Sequence, residues 1–320
     1  MTYLAGIDIG GTKCAVSLAS YDGENLEILE KKRFLTPELP SKTIDELLLS
    51  LKELILNYKV ELSSIGISCG GPLSSKDGLI LSPPNLPGWE EIDIVSPFKN
   101  TYDIPVSLQN DANAGALAEW MFGVGQGADN LIFLTFGTGM GAGLILNGVL
   151  YSGTNDMAGE VGHVRLESEG PMGYGKAGSF EGYCSGGGIA RLAQGMAKEA
   201  INADDSPLFC SSIEYIEEIT AKDVGIAAAK GDKLALEIFT LVGHKLGKGL
   251  AMLVDILNPQ KIIIGSIYGR QQKILEPVVL NVLQQEALSH SLSVCEILPA
   301  GLGERIGDYA SLSVALNKIK

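Results

Sequence analysis

The sequence predicts an α/β protein made of two related halves with a cleft between them. Three observations point there. Short apolar, β-rich runs give way to helical patterns twice along the chain. The segment IDIGGTKCAVSL at 7–18 is echoed by LTFGTGMGAGLIL at 134–146, each an apolar strand, a tight Gly/Thr turn and a second apolar strand. Glycine makes up 40 of the 320 residues, gathered in a few loops with no G-X-Y period. With 46% hydrophobic and 19% charged residues, the chain can bury a core, which excludes disorder, and its length suits two domains. A formal charge of −14 opposes a nucleic-acid surface, since gripping a phosphate backbone needs a cationic footprint. An acidic chain still binds a phosphate ligand through backbone amides. The five cysteines, Cys14, Cys69, Cys184, Cys210 and Cys295, are scattered and odd in number, which reads as reduced thiols. The start MTYLAGIDIGG lacks a basic segment and a long apolar core, and no run of about 18 apolar residues follows. Neither a signal peptide nor a membrane span is expected, and the chain reads as cytoplasmic.

In order along the chain, Tyr3–Ile9 and Lys13–Ala19 read as a hairpin around Gly10-Gly11-Thr12, with Leu26–Phe34 as a third strand. Residues 41–58 set Ile44, Leu47, Leu48, Leu51 and Ile55 at helical spacing, with Ser41 or Thr43 as N-cap. Ser64–Ser68 returns to strand and Gly70-Gly71-Pro72 breaks it. SPPNLPGW at 82–89 is too proline-rich for helix or central strand. Val106–Gln109 is a strand running into Asn110-Asp111, and a helix follows from Ala112 to Phe122. Asn130–Phe136 and Leu144–Leu146 flank GTGMGAG as a second hairpin, and residues 158–188 read mostly as loop. From Ile189 onward the pattern is helical, interrupted by one strand, Lys261–Ile264. A long helix over Asp232–Leu257 stops at Asn258-Pro259, and a last helix covers about Asp308–Leu316.

The chemistry-bearing residues cluster at these junctions. Glycines in the turn Asp8-Ile9-Gly10-Gly11-Thr12-Lys13 let the backbone approach a ligand, and successive N–H groups make an anion nest. Thr12 adds a hydroxyl, Lys13 a cation, and Asp8 a carboxylate suited to Mg²⁺ through water. This is no P-loop, because the signature lysine–serine pair and the helix behind it are missing. Gly137-Thr138-Gly139-Met140-Gly141 is a second nest, and the pair suits the terminal phosphates of a nucleotide. Asp111, between strand and helix, has the chemistry of a general base, with service as a helix N-cap as the alternative. Glu160, His163 and Glu181 flank the Gly-rich loop and suit bidentate bonding to neighbouring sugar hydroxyls. His244 and His290 fall in helical patterns.

Taken together, these motifs resemble the ROK family (repressors and sugar kinases) of the actin-like, hexokinase-type ATPase superfamily. The similarity spans nearly the whole chain: GIDIGGTK at 6–13, SPPNLPGW at 82–89, QNDANAGALAE at 109–119, FGTGMGAGLILNG at 136–148, AGEVGHV at 158–164, LNPQKIIIGS at 257–266 and GDYASLSVAL at 307–316. The resemblance implies a two-lobed, ribonuclease H-like fold with duplicated βββαβαβα halves and an inter-lobe cleft. Residues 1–115 are expected to form the smaller lobe and 116–304 the larger, with a helix over about 305–320 packing back on the first. It implies an ATP- and Mg²⁺-dependent hexose 6-phosphotransferase with Asp111 as base. Gly71, Asn85, Asn110, Asp111, Glu160, His163 and Glu181 are expected to hold the sugar. Asp8, Gly10, Gly11, Thr12, Lys13, Gly137, Thr138 and Gly139 are expected to hold the phosphates and metal. Gly265 and Ser266 fall near the adenosine, where the family usually has two glycines.

Glucose is the first substrate choice, with N-acylmannosamine, fructose, mannose or allose as alternatives within the family. A non-catalytic sugar-binding or regulatory protein is the alternative of another class. A family repressor needs an N-terminal helix-turn-helix, and with the first phosphate strand starting at Tyr3 none is expected. A homodimer is expected. One departure stands out. Family members commonly carry a CxCGxxGCxE segment whose cysteines, with a histidine, bind a structural Zn²⁺. Here Met172, Tyr174 and Ser179 stand at the thiolate places, and Met and Ser are poor zinc ligands and Tyr a rare one. Cys184 lies beyond the last ligand place. No structural zinc is expected, which leaves His163 to the sugar.

Overall fold

The computed structural model describes residues 1–319 and divides into two compact units. The first comprises Met1–Asp129, Gly143–Ala158 and the stretch from Gly301 to the chain's end; the second comprises Asn130–Ala142 and Gly159–Ala300. The boundary read from the sequence, between 115 and 116, falls inside the helix Asp111–Phe122, all of which lies in the first unit. The chain parts after Asp129 instead.

The first unit is built on β1 (Thr2–Ile9), β2 (Lys13–Tyr21), β3 (Leu26–Leu35), α1 (Pro40–Tyr58), β4 (Ser64–Cys69), α2 (Ser96–Tyr102), β5 (Val106–Asn110) and α3 (Asp111–Phe122). The strands form one sheet in the order β3-β2-β1-β4-β5. β1, β2 and β3 are antiparallel, while β1, β4 and β5 run parallel. β3 is the edge, and its sequence LEILEKKRFL places charge where an unpaired edge invites aggregation. One face of the sheet is apolar: Ile7, Ile9, Val16, Leu18, Ile65 and Ile67 pack with Leu47, Leu51 and Leu54 of α1, each buried leucine contributing about 1.5–3 kcal/mol. α1 starts one residue before Ser41, with Pro40 in its first turn and Leu39 at the N-cap making no side-chain cap. Neither Ser41 nor Thr43 caps it, because proline's fixed φ suits the first helical position and its missing N–H costs nothing there.

The opposite face is lined by small residues. Gly6 lies across from Ser17 on β2 and Gly66 on β4, and Ser17 lies across from Lys31 on β3. Over this row runs the C-terminal helix Ile306–Asn317. A Cβ on Gly66 would fall 2.1 Å from the Ser311 carbonyl oxygen, so only glycine admits the helix backbone this close. At the helix's first turn Asp308 pairs with Lys31 and lies 3.5 Å from Arg33. The segment leading into this helix is anchored by Glu119 of α3, a fully buried carboxylate. It accepts the amides of Val124 (3.1 Å), Gly301 (3.2 Å) and Leu302 (2.9 Å), so its charge is met by three donors.

The second unit repeats the parallel trio: Leu131–Leu134, Lys261–Ile264 and Glu296–Pro299 run parallel, with Ile132, Ile262 and Ile297 in one row. Glu296–Pro299 corrects the expectation of a single strand after residue 189. It is a short edge strand ending in proline, with no fully buried residue, so its pattern is weak. Around the trio lie helices Gly186–Asn202, Ala221–Ala229, Lys233–Leu257 and Gln272–Glu286. The long helix is capped by Asp232, which accepts the Ala235 amide at 2.8 Å, and ends on Asn258 in the left-handed region. The stretch read as loop, 158–188, holds a 3₁₀ turn at Val161–His163, a hairpin pairing Met172–Gly173 with Lys176–Ala177, and a short helix at Phe180–Tyr183. All five cysteines are free, four of them buried. Among the described residues no helix is long and apolar enough to cross a membrane.

Candidate active site

In the first unit the parallel strands β1, β4 and β5 deliver their C-terminal ends side by side, the place where open α/β sheets bind ligands. Asp8, Ser68 and Gln109 share one row, and Ile9, Cys69 and Asn110 the next. At the end of β5, Asn110 is the N-cap of α3: its Oδ1 accepts the Asn113 amide at 2.7 Å. Asp111 is therefore released from capping. Its Oδ1 accepts the Ala112 amide at 2.9 Å, which orients the carboxylate. Asp111 is exposed to solvent, yet the protein crowding around it raises its pKa above the ordinary carboxylate value. Asp8 is half-buried, and its pKa is pushed up to about 6. Burial is the main cause, opposed by Lys31 and Arg33 and reinforced by Asp111 and Asp308.

The β1–β2 turn carries the first nest. Gly10 donates to the Lys13 carbonyl at 3.1 Å and accepts the Thr36 hydroxyl at 2.6 Å. Thr12 accepts the Thr36 amide at 3.0 Å. A Cβ on Gly11 would lie 2.1 Å from the Asn85 carbonyl oxygen, so the proline-rich loop, fixed by buried Leu86 and Trp89, rests directly on the turn. The amides of Gly11 and Thr12 find no acceptor among the described residues. Gly71, just past β4, is exposed with open space where a side chain would point. Lys13 is exposed at the start of β2.

In the second unit the turn Gly137–Gly141 follows the strand Leu131–Leu134. Gly137 donates to Gly139 at 3.1 Å, and Gly186 donates to the Gly137 carbonyl at 2.7 Å. The Met140 amide donates to Glu181 Oε2 at 3.1 Å. Thr138 and Gly139 amides have no acceptor among the described residues. Glu181 sits in the first turn of the helix Phe180–Tyr183, and Gly162 is wedged between the Met140 carbonyl and the Glu181 stem. The 3₁₀ turn holding His163, with Glu160 at its N-cap, thus comes against the same glycine turn. Glu160 and His163 are exposed. A cavity of about 720 Å³ opens beside Thr138, Gly186, Thr220, Gly225, Ser266 and Gln271. Ser266 is held at φ +50°, a conformation that favours glycine, and Gly265 packs on Phe133.

The zinc positions do not fit a metal. Ser179 is fully buried and committed to the backbone: its hydroxyl accepts the Gly182 amide at 3.1 Å as N-cap. Met172 and Tyr174 are exposed on the hairpin. A divalent cation suits Asp8 better, since a half-buried carboxylate near two other acids, with no donor bonded to it among the described residues, is stabilised by added positive charge. Residues missed in the sequence are Thr36, Lys31, Arg33 and Asp308, which surround Asp8 and its turn. They carry no local motif and meet only through strand register and the returning C-terminal helix.

Comparison with known proteins places this arrangement. The ROK family model matches residues 4–315, and the chain belongs to the ROK family. It is 31% identical over 312 residues to a glucokinase of Halalkalibacterium halodurans, covering 95% of this chain and 92% of that one. It is also 30% identical to the xylose repressor of Bacillus subtilis, covering 98% of this chain and 77% of the repressor. A solved ROK glucokinase of Streptomyces griseus, in complex with glucose and AMPPNP, superposes with a TM-score of 0.75 at 27% identity, covering 98% and 99% of the two chains. The fold is that of the actin-like ATPases.

Proposed function

We propose that the protein is an ATP-dependent hexose kinase that phosphorylates the 6-hydroxyl, with glucose the first substrate and Asp111 the general base. The observation that carries this reading is the division of labour at 110–111. Asn110 caps the helix, and Asp111 keeps an oriented carboxylate whose raised proton affinity suits it to accept a hydroxyl proton. As that proton passes to Asp111, the sugar oxygen attacks the γ-phosphoryl in line, the bond from the γ-phosphorus to the bridging oxygen breaks, and ADP leaves. The free amides of Gly11, Thr12, Thr138 and Gly139, with Lys13, spread the developing charge. Glu160, His163 and Glu181 take the remaining sugar hydroxyls, and the cavity beside Ser266 takes the adenosine. Asp8 would hold Mg²⁺, which would neutralise phosphate charge when bound. The glucokinase relatives and the glucose-bound neighbour support this assignment. A sugar-binding regulator without catalysis is the second reading, favoured by the identity to the xylose repressor.

An ADP-release assay over a panel of hexoses separates the two. Turnover with glucose is expected, and Asp111→Ala should lower kcat by about 10³-fold or more while sugar affinity stays within a few-fold. A chain that binds hexose yet releases no ADP in its presence would establish the regulatory reading instead.

A further inference from the structure

His163 closes its 3₁₀ turn with an exposed imidazole, and nothing in the turn itself fixes that ring. The neighbouring hairpin does. Its base is clamped: Arg191 donates to the Met172 carbonyl at 2.5 Å, and a Cβ on Gly173 would fall 2.4 Å from the Gly182 amide. From the far strand Lys176 Nζ donates to the His163 carbonyl at 2.7 Å. At the tip, Tyr174 meets the imidazole edge-on, with ring centroids 6.4 Å apart and planes at 80°. Tyr174 holds φ +43° beside Gly175 at φ +74°, a two-residue turn whose first place normally takes Asn, Asp or Gly. It is 72% exposed, so burial does not explain an aromatic residue in this backbone conformation.

We infer that Tyr174 is a positioning residue for the sugar site, acting through His163. The hairpin performs without metal the task of presenting one face of the imidazole to a sugar hydroxyl. An imidazole reads a hydroxyl with one chosen nitrogen, so free rotation about its χ angles dilutes the competent orientation. An aromatic edge against the ring restricts that rotation while leaving the opposite face open. Strain retained at an exposed position is the pattern of a residue kept for function rather than for packing. The inference rests on the reading of His163 as a sugar ligand.

The test uses the full chain and two variants. Tyr174→Gly relieves the positive φ and removes the ring; Tyr174→Phe keeps the ring and removes the hydroxyl. For Tyr174→Gly the hexose KM should rise about 5- to 10-fold, with the ATP KM unchanged and the Tm equal or higher. Tyr174→Phe should match the parent. By NMR the His163 ring proton, assigned by its loss in His163→Ala among three histidines, should lose its ring-current shift in the Gly variant and keep it in the Phe variant. A hexose KM within twofold of the parent in Tyr174→Gly overturns the inference, as does an equal rise in both variants, which would assign the effect to the hydroxyl. If the parent phosphorylates no hexose, the kinase reading fails on its own. Glucose titration of the His163 resonance then decides this one, and an identical response in parent and Gly variant overturns it.

Discussion

The two glycine turns echo one another in sequence, yet the protein braces them differently. In the first, Gly10–Lys13, the supports come from the neighbouring strand end and the proline-rich loop: Thr36 holds the carbonyls of Gly10 and Thr12, and the Asn85 backbone lies against Gly11. The neighbours it serves are the acids Asp8 and Asp111. In the second, Gly137–Gly141, the supports come from its own unit: Glu181 takes the Met140 amide, and the start of the helix Gly186–Asn202 takes the Gly137 carbonyl. Among the described residues each turn keeps two amides without an acceptor, Gly11 and Thr12 in one, Thr138 and Gly139 in the other. The lesson is that a duplicated nest can keep the same donors while its support diverges. The first turn is held by Thr36 and by the backbone of the proline-rich loop, the second by the Glu181 carboxylate and the Gly186 amide.

The largest effect should come from the acid beside the first turn, and it sets a sign in pH. Asp111 must be ionised to accept a proton, so kcat/KM should climb with pH through its raised pKa. That places the acid limb above the range of an ordinary carboxylate. Stability runs the other way. A carboxyl whose folded pKa is raised binds its proton more tightly when folded, so its contribution is present at low pH and lost as pH rises through the folded pKa. Asp111→Asn should therefore be nearly inactive at pH 8 and melt no lower than the parent there. Activity profiles and melting curves at pH 5 and pH 8 check both halves. A parent whose acid limb sits at an unperturbed carboxylate value would refute the placement.

Next in size is the contrast between alanines at Gly11 and Gly139. At Gly11 the new methyl meets backbone, the Asn85 carbonyl oxygen at 2.1 Å. The turn or the proline-rich loop must move, at a cost of about 1–3 kcal/mol, and the ATP KM should rise at least tenfold. At Gly139 the methyl meets only the end of the Glu181 side chain, Oε2 at 2.8 Å, which can swing aside by giving up the Met140 amide. That change should barely alter Tm but raise the hexose KM about 5- to 10-fold, the worth of one charge-assisted hydrogen bond. Equal effects of the two alanines on both substrates would erase the distinction drawn between the turns.

What could be read in advance follows the range of the signals. The β1–β2 hairpin, the proline-rich loop and the strand–helix junction at 110–111 each announce themselves within a few residues. The choice between Asn110 and Asp111 as cap was not readable, because both side chains are good N-caps and only the folded junction shows which one bonds the Asn113 amide. The support of the turns was hidden for a different reason. Thr36 reaches Gly10 across 26 positions and Glu181 reaches Met140 across 41, and neither pairing has a local pattern. The strand Glu296–Pro299 escaped because one exposed and three half-covered edge residues carry almost no alternation. The hairpin at 172–177 escaped because its turn opens on a tyrosine, where turn chemistry leads one to look for Asn or Gly.

The smallest effect expected is at Ser266, and it bears on why the second turn's surroundings depart from the family pattern. The resemblance puts two glycines at 265–266, and here the second is a serine held at φ +50° with ψ −105°. Such a backbone is strained for any residue with a Cβ, by roughly 1 kcal/mol or somewhat more. No local contact repays that, since the Ser266 hydroxyl makes no hydrogen bond among the described residues and lies 3.8 Å from where a Gly137 Cβ would stand. Its one evident opportunity is the cavity it lines with Thr138 and Gln271. Ser266→Gly should accordingly raise Tm by about 2–4 °C and raise the ATP KM two- to fivefold, the loss of a single neutral hydrogen bond. A glycine variant that is more stable and binds ATP as tightly as the parent would mean the serine is tolerated strain with no part in nucleotide binding.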